Sequence, residues 1–191
     1  MTQTNKSIGF IHIPKTGGKS FLEYLKTQGL GYKYNLHNPI SELWDRGNNE
    51  LYNITLVRHP YDRVLSFYSF YKKFENSPFS NLGFDEYISK LENISPYIRP
   101  CYDFCTIDDV NVMDFIIKLE NIHDDLEMLC EKLSLNPKIP FPYQNKNDGY
   151  LVDKLNGDHK KIITQVFKND FEYFNYEPWN EKTWTCNEYI S

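Results

Sequence analysis

Two hydrophobic periods alternate along this 191-residue chain. Short apolar runs at 8–13, near 32–36, at 51–57 and at 112–118 read as strands. Between them, apolar residues recur at helical spacing over 19–28, 40–46, 60–74, 84–92, 124–133 and 158–168. In the first of these helices Phe21, Leu22 and Leu25 share a face, and Gly29 is its stop. Pro60 suits a first helical turn, where no N–H is needed. Strands that alternate with helices predict an α/β fold, three-layered and P-loop-like, with a central parallel sheet flanked by helices. Residues 76–83 and 134–149 are rich in Pro, Asn, Ser and Gly and read as loops. Neither a repeat nor a low-complexity tract is visible. One domain over 1–191 is expected, with its core at about 8–177 and a peripheral tail at 178–191.

Composition narrows the class without choosing a function. Hydrophobic residues at 40% and charged residues at 25% are ordinary for a globular protein. A net charge of −5 argues against a nucleic-acid partner, and any grip on an anionic ligand must come from a local basic patch. The 15 Tyr and 13 Phe suit saccharide stacking as well as an aromatic core. Residues 1–7 are polar, and neither an apolar leader nor a membrane span of about 20 apolar residues is seen. Cys101, Cys105, Cys130 and Cys186 lack the paired spacing of a zinc site and read as free thiols in a reducing compartment; no metal is expected.

The chemistry concentrates at the end of the first strand. There Pro14-Lys15-Thr16-Gly17-Gly18-Lys19-Ser20 leads directly into a helix. Strand, glycine turn and helix N-terminus make an anion cradle, because unpaired backbone N–H groups and the helix dipole both favour negative charge. Gly17 and Gly18 permit close approach, while Lys15, Thr16, Lys19 and Ser20 add cationic and hydroxyl donors. A phosphorylated ligand is the expectation. Gly18-Lys19-Ser20 matches the second half of a Walker A loop, but Ile13 stands where its first glycine belongs.

A second cluster, LYNITLVRHPYDRVLSFYSFYKKF at 51–74, puts Arg58 at the carboxyl end of an apolar strand, the edge where open α/β sheets bind ligands. An NTPase would want a magnesium-binding carboxylate there. A guanidinium suits direct contact with phosphate instead.

Taken together, IPKTGGKS followed by LVRHPYDRVLSFY resembles the carbohydrate sulfotransferases related to the heparan and chondroitin sulfate enzymes. The likeness runs on through FIIKLENIHDDLEMLCEKL (115–133), PFPYQNKN (140–147) and VFKNDFEYFNYE (166–177), and so spans roughly 8–177. It implies 3′-phosphoadenosine 5′-phosphosulfate (PAPS) as donor and adenosine 3′,5′-bisphosphate as product. It also implies a hydroxyl-bearing acceptor, most naturally a saccharide. Lys15, Thr16, Gly17, Gly18, Lys19 and Ser20 would then hold the 5′-phosphosulfate, with Lys15 at the bridging oxygen. Arg58 and Ser66 would hold the 3′-phosphate, and Arg63 would brace its helix. Animal members of that family carry a membrane anchor; its absence here points to a cytoplasmic protein or to a trimmed form of a Golgi-type enzyme.

Sulfuryl transfer also needs a base. His37 follows the second strand, so it should open onto the same edge as the cradle, and it matches the position of the base in the heparan 2-O-sulfotransferase relatives. A neutral imidazole can take a hydroxyl proton at working pH. Glu42 and Asp45 are fallback bases, and His12, inside a strand, reads as a satisfied core histidine. Lys72 and Lys73, with Tyr68, Tyr71 and Phe74, and Arg99 and Lys146 in loops, are the residues that could border an acceptor cleft. Two other readings stay open: a P-loop kinase or NTPase using Asp108-Asp109 for magnesium, and a silent nucleotide-binding module. Oligomeric state is not legible.

Overall fold

A computed structural model describes residues 7–45, 47, 50–77, 79–94, 98–142 and 155–179. The chain gathers into two compact units: 1–59 with 99–148, and 60–98 with 149–191.

The first unit is built on a four-stranded parallel sheet flanked by helices. Its strands are β1 (Ile8–His12), β2 (Tyr32–Leu36), β3 (Tyr52–Val57) and β6 (Phe115–Lys118), in the order β2-β1-β3-β6. All of β1 is buried, which explains why its apolar run is continuous rather than alternating. Ile8 and Phe10, Ile54 and Leu56, and Phe115 and Ile117 lie in one core cluster. Against them pack Phe21, Tyr24 and Leu25 of α1 (Gly18–Thr27) and Ile122, Leu126 and Leu129 of α7 (Ile122–Leu133). The Tyr24 hydroxyl lies 3.1 Å from Cys130 Sγ inside this cluster. Cys101, Cys105 and Cys130 are buried free thiols, and Cys186 lies outside the described residues.

Strand order decides where a ligand can enter. β2 lies on one side of β1 and β3 on the other, so the connections diverge between β1 and β3, and a crevice opens beyond their carboxyl ends. The cradle follows β1, and Arg58 follows β3. Thr55 ties the two strands together, its hydroxyl donating to Ile11 O at 2.9 Å.

The sequence expectations need several corrections. The strand expected at 112–118 begins only at Phe115, because Asn111 Oδ1 takes the N–H of Met113 and bends the chain there. Ahead of it stand α6 (Tyr102–Cys105) and a hairpin of β4 (Thr106–Ile107) and β5 (Val110–Asn111), none of which the periodicity predicts. Asp108 and Asp109 are the two turn residues of that hairpin, with φ of 48° and 61°. Two central residues at positive φ are what a tight hairpin demands, and aspartate tolerates them, so turn chemistry is enough to account for the pair.

The second unit is helical among its described residues: α3 (Pro60–Tyr71), α4 (Phe84–Ser89), α5 (Leu91–Ile94), α8 (Gly157–Val166) and α9 (Lys168–Tyr173). Helix α3 stops three residues before the expected end, and the helix expected at 84–92 breaks at Lys90. The expected helix at 158–168 turns at Phe167 and resumes as α9. Arg63 is buried, 3.9 Å from buried Asp170 and beside the Phe67 ring, so α3 is braced from within as expected. Lys146, residues 143–147 of the 140–147 loop and the tail from 180 lie outside the described residues.

Asp170→Ala should lower unfolding free energy in a urea titration by roughly 3–5 kcal/mol, because it removes the carboxylate that faces a buried guanidinium. A loss below 1 kcal/mol would mean that the pair does not brace the unit.

Candidate active site

Residues 13–17 form a closed loop before α1. Ile13 is fully buried, and Thr16, also buried, donates its hydroxyl to Ile13 O at 2.9 Å, which draws the loop back onto the strand end. With that proton committed, what Thr16 offers a ligand is chiefly its backbone. Lys15 adopts a left-handed conformation (φ 68°), a strain of about 1 kcal/mol or more for a residue with a Cβ. Gly17 follows at φ 89° as the N-cap of α1 and is the residue for which that angle costs least.

Both glycines are demanded by neighbours as well as by backbone angle. A Cβ on Gly17 would lie 2.9 Å from Leu119 Cδ1, and a Cβ on Gly18 would fall against the edge of the His12 ring, far inside van der Waals contact. The first turn of α1 carries neither a side-chain cap nor an acidic residue, so its positive end stays open to an anion. Lys19 is exposed, Lys15 half-buried and Ser20 buried.

His37 arrives from β2, at the sheet edge beside β1. Its N–H donates to His12 O at 3.1 Å, it too is left-handed (φ 61°), and its ring meets that of His12 edge-on with centroids 5.0 Å apart. Although His37 is exposed at this edge, partial desolvation first, then the charges of Lys19 and Lys15, hold its pKa below the ordinary 6.5. The unit thus brings Lys15, Lys19 and His37 into one electrostatic neighbourhood. Glu42 accepts from Asn38 Nδ2 at 2.9 Å in α2 (Ile40–Asp45), and Asp45 is exposed at the end of that helix.

His12 corrects the sequence reading. It is buried, but its Nδ1 has no hydrogen-bond partner among the described residues, so it is not a satisfied core histidine. Burial first, then His37 and Lys19, push its pKa down to about 4. The sequence signal was available: a histidine that closes a buried strand directly before a cationic glycine loop.

Arg58, half-buried, follows β3 and has no hydrogen bond or ion pair among the described residues. Its segment is fixed by the neighbouring N–H of His59, which donates to Glu120 in the turn between β6 and α7. Ser66 is buried on α3 of the second unit. There Lys72 donates to Ser80 O at 2.6 Å and so ties down the turn after α3, while Arg99, in the first unit, is exposed. Among the described residues no group of three or more His, Cys, Asp or Glu is placed to hold a metal, and no helix is long and apolar enough to cross a membrane.

A parallel α/β sheet with an uncapped, lysine-flanked helix N-terminus at its switch point has the local geometry that suits an anionic ligand. The chain belongs to the sulfotransferase family, whose model matches residues 1–177. The family's activity is sulfuryl transfer to an acceptor, which makes this chain a transferase in kind. No curated protein matches it.

The His12 geometry predicts a pH signature. Its folded pKa of about 4 lies below the unfolded 6.5, so the unfolded chain binds the extra proton between those values. Stability should therefore fall as pH drops from 6.5 toward 4, with His12 contributing roughly 3 kcal/mol of that loss. Urea unfolding across this range should give a flatter profile for His12→Phe; an unchanged slope would mean that His12 is not the group titrating.

Proposed function

We propose that this protein moves the sulfuryl group of PAPS to a hydroxyl of a carbohydrate or glycoconjugate acceptor and releases adenosine 3′,5′-bisphosphate. The observation that carries this reading is the pairing, at one sheet edge, of an open cationic cradle with His37, whose backbone N–H donates to His12 O and whose ring meets the His12 ring. The cradle fits a 5′-phosphosulfate: α1 has no acid in its first turn, and two glycines leave its backbone bare. PAPS supplies the activated sulfuryl group.

Lys15 to Ser20 bind and orient the donor's 5′ end through backbone N–H groups and the two ammonium groups. Lys15 balances negative charge that develops on the departing phosphate. Arg58 takes the 3′-phosphate, for which a guanidinium not engaged elsewhere among the described residues is the natural partner. Ser66 is assigned to the same phosphate by the family likeness alone. His37 removes the acceptor's hydroxyl proton; its lowered pKa keeps the imidazole unprotonated at neutral pH, and the cost is a weaker base. The family match and the hairpin role of Asp108 and Asp109 both weigh against a kinase.

Calorimetry tests the donor assignment. Adenosine 3′,5′-bisphosphate should bind without magnesium and more tightly than AMP, ADP or ATP, and Arg58→Ala should weaken the bisphosphate far more than AMP. Preference for ATP with magnesium, or equal losses for both ligands in the variant, would overturn it.

The base is tested by turnover. His37→Ala should keep bisphosphate affinity while sulfuryl transfer from PAPS falls by about 10²–10⁴-fold. Full activity in that variant would move the role to Glu42 or Asp45. Bisphosphate binding with no transfer to any saccharide acceptor would indicate a silent binding module.

A further inference from the structure

A buried ring nitrogen without a partner is a liability, and His12 carries one. Leaving such a group unsatisfied costs about 1–3 kcal/mol, whereas a phenyl ring at the same place would cost nothing of the kind. The site is otherwise suited to an aromatic ring: Phe10 stacks on it at 5.7 Å, and Gly18 gives up its Cβ volume to it. Stability would therefore favour phenylalanine, and the chain has histidine. Local rules of this kind are broken where function uses the group.

The neighbour that could use it is His37. The two residues are joined twice, by the His37 N–H on His12 O at 3.1 Å and by the edge-on ring contact at 5.0 Å. That contact makes the two imidazoles direct neighbours, with ring planes at 67° to each other. When His37 gains a proton it becomes a cation beside Lys15 and Lys19, with no carboxylate among the charges acting on it. Something must stabilise that state, and a neutral imidazole whose Nδ1 has no partner among the described residues can do so in the tautomer that leaves this nitrogen unprotonated.

We propose that His12 is the positioning residue of the His37 base, accepting a hydrogen bond from the His37 imidazolium once the acceptor's proton has been taken. This rests on the reading of His37 as base. The proton balance is simple. The hydroxyl proton moves to one ring nitrogen of His37, the N–H on its other nitrogen points to His12, and no bond breaks at His12. Burial keeps His12 itself unprotonated, so it remains an acceptor throughout.

His12→Phe tests this against a purely structural role. At neutral pH the variant should unfold at the wild-type temperature or above it and bind adenosine 3′,5′-bisphosphate normally. Its kcat should fall by roughly tenfold to a hundredfold, the cost of one hydrogen bond to a charged group. His12→Gln, which restores an acceptor oxygen, should recover part of the loss. An NMR titration of His37 provides a readout independent of turnover: its pKa should move lower still in His12→Phe. The double variant with His37→Ala should be no slower than His37→Ala alone.

Unchanged kcat and unchanged His37 titration in a folded His12→Phe would overturn the proposal and leave the base assignment intact. So would additive losses in the double variant, or a kcat loss matched by a loss of stability in both His12 variants. If His37→Ala retains full activity, the base assignment itself fails, and His12 falls with it.

Discussion

The site depends on one close approach: the His12 ring lies where the Cβ of residue 18 would be. This contact presses the end of β1 against the first turn of α1, and it exists only because Gly18 has no side chain. The Thr16 hydroxyl on Ile13 O closes the loop beneath it, and Leu119 fills the space left by Gly17. The helix N-terminus is thereby held at the strand end with its N–H groups facing outward, as an anion site requires. The same ring reaches His37, so a single buried residue touches both the cradle and the candidate base.

Charge around this edge is arranged so that an acidic chain keeps a positive mouth. The carboxylates near the strand ends hold backbone N–H groups. Asp114 takes the N–H of Asn53, Glu120 that of His59 and Asp125 that of Lys118. These bonds fix where β3 and β6 begin and end, and so set the place of Arg58. Lys15 and Lys19 follow β1 and Arg58 follows β3, at the carboxyl ends of adjacent strands. A net charge of −5 is thus compatible with an anion-binding crevice, because attraction at contact distance is local and the distant acids are screened.

Strain lies in the same places. Lys15 and His37 both hold left-handed backbone angles, and each carries a role in the proposed reaction. Asp108, Asp109 and Ser134 share that conformation without sharing the chemistry, since they occupy a hairpin turn and a helix end. Strain therefore does not mark the site by itself; strain at the carboxyl edge of a parallel sheet does.

Much of this was legible in one dimension. The strands at Ile8, Tyr32 and Tyr52 and the helix opening at Gly18 follow from apolar period and glycine placement, which are local properties of the chain. The family likeness rested on the same two motifs. What local pattern could not supply was everything that depends on which strands become neighbours. Strand order put the cradle and Arg58 on adjacent strands and brought His37 against His12. The hairpin at Asp108 and Asp109 was missed because each of its strands has only two residues, too few to show a period. The unsatisfied nitrogen of His12 was missed because hydrogen-bond satisfaction is decided by partners distant in sequence. Sequence by itself determined the elements and the chemistry they carry, since these arise from neighbours along the chain; tertiary structure alone decided which of those groups meet, because burial and pairing are properties of space.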